Sequence, residues 1–341
     1  MVHFGRAVLV LVPALLGFGC GSDDGSPGNH GSGGGGGTGG LLRCGDAPPA
    51  GAPAPAPPKP YSGGTCPALM PGTNTILSPA ERQFILVLPV DLKEKDKLPV
   101  IFLWHWLGGD ATGFLERGEV QKAVDAQHFI AVIPEAKDGA LFKWPYSAAD
   151  TQPALDEELV FFDDMLSCVS AQYGVNSNCV ATAGVSAGAL WSGQLASYRS
   201  EYLSSFLSLS GGTGTGVIKP WSAPLHKLPA VVLWGGPNDT CVVVNFQDTS
   251  HDLEQNLVAG GHFFLECVHN CTHNEPPMTP GESSKYEALW NFVFDHPFWL
   301  KPGESPYLEQ GIPAGFPEWC GIGPDSAVMR EGACGPSACS L

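Results

Sequence analysis

Residues 184–188 read Gly184-Val185-Ser186-Ala187-Gly188, and their flanks constrain this chain more than any other stretch. Before them, 179–183 is a short apolar segment with the look of a buried strand. After them, 189–196 reads as a helix. A serine between two glycines at a strand-to-helix turn is the arrangement that presents a nucleophilic hydroxyl. The glycines permit a tight turn that lifts the Ser186 hydroxyl clear of the backbone. The helix that follows points its free N–H groups at the same place. In a chain with 44 glycines among 341 residues, the five-residue pattern alone carries little weight. The strand before it and the helix after it supply the rest.

Several function classes are excluded or disfavoured by composition. A net charge of −17, with no basic stripe, argues against nucleic acid as a partner. At the N-terminus, Arg6 precedes an apolar run, 7–18, that is too short to span a bilayer. It ends at Gly17-Phe18-Gly19-Cys20, a lipoprotein-type signal in which Cys20 would carry the lipid. Ordinary secretion is the alternative. The chain is therefore expected to be exported, touching a membrane only through this anchor. Of the eleven cysteines, ten remain once Cys20 is set aside, the even number that a disulfide framework needs.

The expected organisation has four parts: a signal over 1–20, a tether over 21–60, a folded domain over 61–300 and a cysteine-containing tail over 301–341. The tether is Gly/Ser-rich and then Pro/Ala-rich, so it buries too little apolar surface to fold. Within the domain, strands are predicted over 82–88, 98–104, 129–133, 179–183, 203–209, 230–234 and 262–267. Helices are predicted over 116–127, 156–173, 189–196, 248–258 and 283–294. Strands alternating with helices imply a mostly parallel sheet covered on both faces.

A serine nucleophile needs a base to take its proton and a group to orient that base. Asp239 fits the acid: it follows the apolar strand 230–234, on the sheet edge where Ser186 emerges. Asp248 and Asp252 lie inside a predicted helix and fit less well. Three histidines compete for the base. His262 opens a strand, at the wrong end of the sheet. His269 and His273 lie on the loop past that strand; His273 is the choice and His269 the reserve. An oxyanion hole needs two backbone N–H groups. One is expected from Ala187, directly after the serine. The other is expected from Trp106 or Leu107, in the loop after the strand 98–104. His105 reads as a support for that loop. Trp104, Trp106, Trp144, Trp191 and Trp221 are candidates to line an aromatic cleft, with Trp144 and Trp191 assigned to substrate binding; core packing is the simpler role for any one of them.

Taken in order, these pieces resemble the exported α/β-hydrolases of the polyhydroxybutyrate depolymerase, feruloyl esterase and acetylxylan esterase group. The matching pieces are the 104–109 loop, Pro134-Glu135, the Trp144 segment, the 184–188 elbow, 235–239, and the His273 loop before 290–297. The resemblance spans roughly residues 80 to 300. It implies the α/β-hydrolase fold, a serine esterase acting through an acyl-enzyme on a small or polymeric ester, and no cofactor or metal. Such proteins usually carry His-Gly in the first loop, where this chain has Trp106. The resemblance also implies a disulfide between Cys168 and Cys179, and suggests one from Cys241 to Cys267 or Cys271. A monomer is expected. The rival readings are a peptidase of the prolyl oligopeptidase type, which would carry a large extra domain, a non-catalytic surface lipoprotein that keeps the fold, and a metal site among His262, Cys267, His269, Cys271 and His273.

Overall fold

The computed structural model describes residues 43–335, except 138, 140 and 141, together with Cys339. The signal, Cys20 and the first part of the tether lie outside the described residues. In chain order the elements are β1 (Gly72–Ser78), β2 (Ala80–Val87), β3 (Leu98–Trp104), α1 (Ala111–Arg117), α2 (Val120–Gln127), β4 (Ile130–Pro134) and α3 (Gln152–Gln172). Then follow β5 (Val175–Val185), α4 (Ala187–Tyr198), β6 (Ser205–Leu209), β7 (Ala230–Trp234), β8 (Thr240–Cys241), β9 (Val244–Asn245) and α5 (Phe246–Gly260). The last are β10 (Phe264–Val268), α6 (Glu287–Asp295), α7 (Tyr307–Gln310) and β11 (Cys320–Ile322).

Nine strands form one sheet in the order β1-β2-β4-β3-β5-β6-β7-β10-β11. The run from β4 to β10 is parallel; β1, β2 and β11 join it antiparallel. β4, β6 and β7 are buried at every position, which is why they read as continuous apolar runs rather than alternating ones. One face of the sheet packs on α3, α4 and α5 through side chains such as Phe102, Phe161, Leu190 and Leu253. The other packs on α1, α2 and α6 through Leu103, Val124, Phe129 and Leu289. Each such side chain, fully buried, contributes about 1.5–3 kcal/mol.

α3 begins earlier than the sequence pattern suggests. Thr151 caps it, accepting from the Ala154 amide, and Pro153 fills its first turn. Asp156, Glu157 and Glu158 therefore lie beyond the first turn of α3. Glu158 instead turns inward and forms a buried pair with Arg82, with contacts of 2.7 and 3.1 Å. The single helix predicted over 116–127 is two helices, broken at Gly118 and Glu119, whose backbone is left-handed at Glu119.

The cysteine pairing differs from the expected one. Cys168 does not bridge to Cys179. It pairs with Cys66, tying α3 to the segment before β1, while Cys179 pairs with Cys44. Cys241 does not reach Cys267 or Cys271 either: the pairs are Cys241–Cys339, Cys267–Cys320 and Cys271–Cys334. All ten cysteines after Cys20 are thus bridged. The Cys44 bridge also changes the reading of the Pro/Ala tract. Over 43–60 the chain has neither helix nor strand, yet it lies along the domain rather than free of it. The Ala56 amide donates to the Glu201 carbonyl at 2.9 Å, and Lys59 meets Asp163 at 2.8 Å. Proline-rich chain has no internal hydrogen bonds to give up, so it can run extended over a surface at little entropic cost. The cysteine-containing segment 301–341 carries α7 and an edge strand, β11.

Candidate active site

β3 and β5 are neighbours in register, with Trp104 opposite Gly184. The loop after β3 therefore meets the turn after β5. Ser186 sits in that turn with φ 55° and ψ −119°, a conformation outside the ordinary wells. Its amide donates to the Leu209 carbonyl at 2.9 Å, and its own carbonyl accepts from Ala189 and Leu190 at the start of α4. Both flanking glycines are sterically required. A Cβ on Gly188 would lie 2.0 Å from the Trp104 carbonyl oxygen, and one on Gly184 would lie 2.1 Å from the Gly188 carbonyl oxygen.

From this turn a line of hydrogen bonds runs inward. Ser186 Oγ lies 2.8 Å from His273 Nε2, and His273 Nδ1 lies 2.6 Å from Asp239 Oδ1. Asp239 is fully buried. Its second oxygen accepts from the Gly235 amide at 2.7 Å and the Ser210 hydroxyl at 2.8 Å. Three donors on one buried carboxylate give both its oxygens partners and fix its rotation. Phe246 stacks on the imidazole, with centroids 4.3 Å apart and planes 18° from parallel. The ring is thus held on one edge by Asp239 and on one face by Phe246. The loops carrying acid and base also bond to each other, through the Thr272 amide and the Gly235 carbonyl at 3.1 Å.

The other histidines are placed differently. His269 is fully buried, and its Nδ1 accepts from the Cys271 amide at 3.1 Å. Burial holds its pKa down at about 4. Its hydrogen bond shapes the turn that delivers His273. His262 is buried with Nδ1 donating to the Leu228 carbonyl at 2.9 Å, and burial lowers its pKa too. His105 is fully buried beneath its loop, with Nδ1 donating to the Trp106 carbonyl at 3.0 Å and the Ala136 amide donating to Nε2 at 3.3 Å. Cys267 and Cys271 are in disulfides, so the metal site considered among these residues has lost its thiolates.

Two cavities open on Ser186. A cleft of about 460 Å³ is lined by Trp106, Leu107, Phe114, His273, Tyr286 and Trp290, among others. A smaller pocket of about 50 Å³ is lined by Leu107, Phe142, Ala187, Leu190, Ile218 and Val243. Leu107 and Ala187 line the small pocket with Ser186. Among the described residues, neither their amides nor that of Trp106 donates to another backbone group, so all three are free to serve an anion. The tryptophans divide sharply. Trp106 stands at the cleft, its ring tilted 32° to that of Phe114 with centroids 6.2 Å apart, and beneath the Arg117 guanidinium. Trp144 and Trp191 are core residues and line neither cavity. Both pack edge-on to Trp104, and the Trp144 indole N–H is spent on the His105 carbonyl at 2.9 Å. Their assignment to substrate binding is corrected accordingly: buried indoles support the loop from below.

Sequence reasoning missed Ser210, Phe246, Phe114, Tyr286 and Trp290. Phe246 had a usable signal, an aromatic close behind the acid loop. Ser210 had none beyond its place directly after β6.

No family model and no curated protein matches the chain. Solved structures do. The chain is similar to native sOPH, with a TM-score of 0.62 at 17% identity over 77% of this chain and 99% of that one. It is similar to native pOPH, with a TM-score of 0.61 at 16% identity over 78% and 99%. A ferulic acid esterase from Anaeromyces mucronatus, solved with ferulic acid, matches with a TM-score of 0.46 at 18% identity over 71% and 94%. At this identity the likeness concerns architecture alone. Together with the parallel sheet, its covering helices and the strained serine turn after β5, the likeness to sOPH and pOPH establishes that the chain has the α/β-hydrolase fold.

Proposed function

We propose that this protein is a serine esterase that cleaves carboxylic esters through an acyl-enzyme. One observation carries the reading: the unbroken line from Ser186 Oγ through His273 to the buried Asp239 carboxylate. In the proposed cycle His273 Nε2 takes the Ser186 proton as Oγ attacks the ester carbonyl. The resulting oxyanion is held by the Ala187 amide and by that of Trp106 or Leu107. His273 then gives its proton to the departing alkoxide. Water, deprotonated by the same nitrogen, releases the acid and restores Ser186. Asp239 holds the imidazole in orientation through His273 Nδ1 and stabilises the imidazolium.

The two cavities support a division of the substrate. His273 must reach the leaving oxygen, and His273 lines the large cleft but not the small pocket. The alcohol therefore belongs in the cleft of about 460 Å³, among Trp106, Phe114 and Trp290. The acyl group belongs in the pocket of about 50 Å³, which suits a short chain. The favoured substrate is a short-chain acyl ester of a bulky apolar or aromatic alcohol, or a polymer of such units.

Five disulfides suit an oxidising compartment. No helix among the described residues is long and apolar enough to cross a membrane. Both fit an exported protein held by a lipid on Cys20. The esterase reading is tested by a fluorophosphonate probe followed by peptide mass mapping. Labelling at Ser186 is expected. An unlabelled, folded protein without ester hydrolysis would favour the non-catalytic reading.

A further inference from the structure

A second group of ionisable side chains shares no residue with either cavity. His251 and Glu254 stand three residues apart on α5, and so share a face of that helix. Glu266 comes from the middle of β10. One ligand-capable atom from each of the three lies within 4.8 Å of the others. Glu254 and Glu266 are each 2% exposed. Glu266 Oε2 accepts from the Ser326 and Ala327 amides at 2.6 and 2.7 Å, which fixes its carboxylate in place. Glu254 Oε2 lies 3.2 Å from His251 Nδ1. Its Oε1 is buried and has no hydrogen-bond partner among the described residues.

This arrangement lacks positive charge. No lysine or arginine among the described residues pairs with Glu254 or Glu266. Two buried carboxylates at this separation repel unless a proton or a cation lies between them. A dication cancels both charges and gives the orphaned Glu254 oxygen a partner. The partly exposed His251 gives such an ion a route from solvent.

We propose that His251, Glu254 and Glu266 form a binding site for one divalent transition-metal ion of the zinc or manganese type. A mixed imidazole–carboxylate set suits these ions, whereas calcium and magnesium favour all-oxygen sets. The ion ties α5 to β10, the two elements that run from the acid loop and toward the base loop. The proposal does not rest on the esterase reading.

The test uses the full chain, stripped with a chelator and titrated calorimetrically with Zn²⁺, Mn²⁺ and Ca²⁺, with melting temperature followed in parallel. One saturable site per chain is expected for Zn²⁺ or Mn²⁺, at least tenfold tighter than for Ca²⁺. A hundredfold excess over Kd should raise the melting temperature by about 4 °C. His251→Ala and Glu254→Gln should each weaken binding at least tenfold. Metal-free Glu254→Gln should melt no lower than metal-free wild type. If Glu254→Gln does not fold, His251→Ala carries the comparison, because its side chain is partly exposed. Absence of saturable Zn²⁺ or Mn²⁺ binding, tighter Ca²⁺ binding, or equal affinity in wild type and His251→Ala would each overturn the proposal.

Discussion

Asp239 and His273 meet at 2.6 Å although 34 residues separate them, and each stands two residues from a cysteine tied to the same C-terminal segment. Cys241 is bridged to Cys339 and Cys271 to Cys334, so that segment fastens both loops. Cysteine placement thus serves the site as well as the stability of the fold. The double change Cys271→Ser/Cys334→Ser should cost about 2–4 kcal/mol of stability. It should also lower kcat about tenfold with little change in KM, because the base loop loses its register. Denaturant unfolding and steady-state kinetics check this; an unchanged kcat would show that the bridge serves stability alone.

The elbow tolerates no side chain at Gly188. A methyl there would stand 2.0 Å from the Trp104 carbonyl oxygen and 2.8 Å from that of His105. Gly188→Ala should therefore destabilise the protein by at least about 3 kcal/mol, or prevent its folding, since backbone on both sides would have to move. Chemical denaturation measures it. A change below about 1 kcal/mol would mean that β3 and α4 are not packed as described.

Leu190 walls the small pocket beside Ser186. Leu190→Ala should widen it and shift preference toward longer acyl chains. The ratio of kcat/KM for a hexanoyl ester over an acetyl ester should rise about tenfold, since one methylene in an apolar pocket is worth about 1–3 kcal/mol. The variant should also lose about 2–5 kcal/mol of stability, so its folded fraction is to be checked first. An unchanged ratio would place the acyl group in the large cleft.

His296 is fully buried, donating from Nδ1 to the Phe292 carbonyl and accepting at Nε2 from the Ser305 hydroxyl. Burial holds its pKa down at about 3. The unfolded chain, with an ordinary histidine, binds a proton near pH 6.5 that the folded chain refuses until about pH 3. Stability from this residue is therefore complete above pH 6.5 and falls as pH is lowered through that window. Between pH 7 and pH 4 the loss is about 3 kcal/mol. His296→Gln should remove this portion of the acid sensitivity. Urea unfolding of both proteins across pH 4–7 measures the difference, and parallel curves would contradict it.

Much of the architecture is legible in the sequence because parallel strands buried on both faces appear as short apolar runs. The ranges 98–104 and 230–234 coincide with β3 and β7, and 129–133 and 203–209 overlap β4 and β6. β1 escaped notice: buried and exposed positions alternate, but polar Asn74 and Ser78 are buried while Leu77 is exposed, so the alternation does not show as a hydrophobic pattern. Ser186, Asp239 and His273 were legible because each follows a strand on one edge of the sheet. The disulfides were not, because pairing depends on which surfaces meet; Cys44 lies in chain that composition marks as unfolded, yet it pins that chain to β5. Trp144 and Trp191 show the same limit. An indole reads alike in sequence whether it lines a cleft or supports a loop, and only packing against Trp104 distinguishes the two.

Ser186 carries the central claim, and its replacement tests that claim most directly. Turnover of a short-chain nitrophenyl ester should be measured for wild type and Ser186→Ala, with melting temperatures recorded for both. Wild type is expected to hydrolyse the ester, and Ser186→Ala to lose at least about 10⁴-fold in kcat while melting no lower than wild type. Comparable turnover by a folded Ser186→Ala protein would contradict the account.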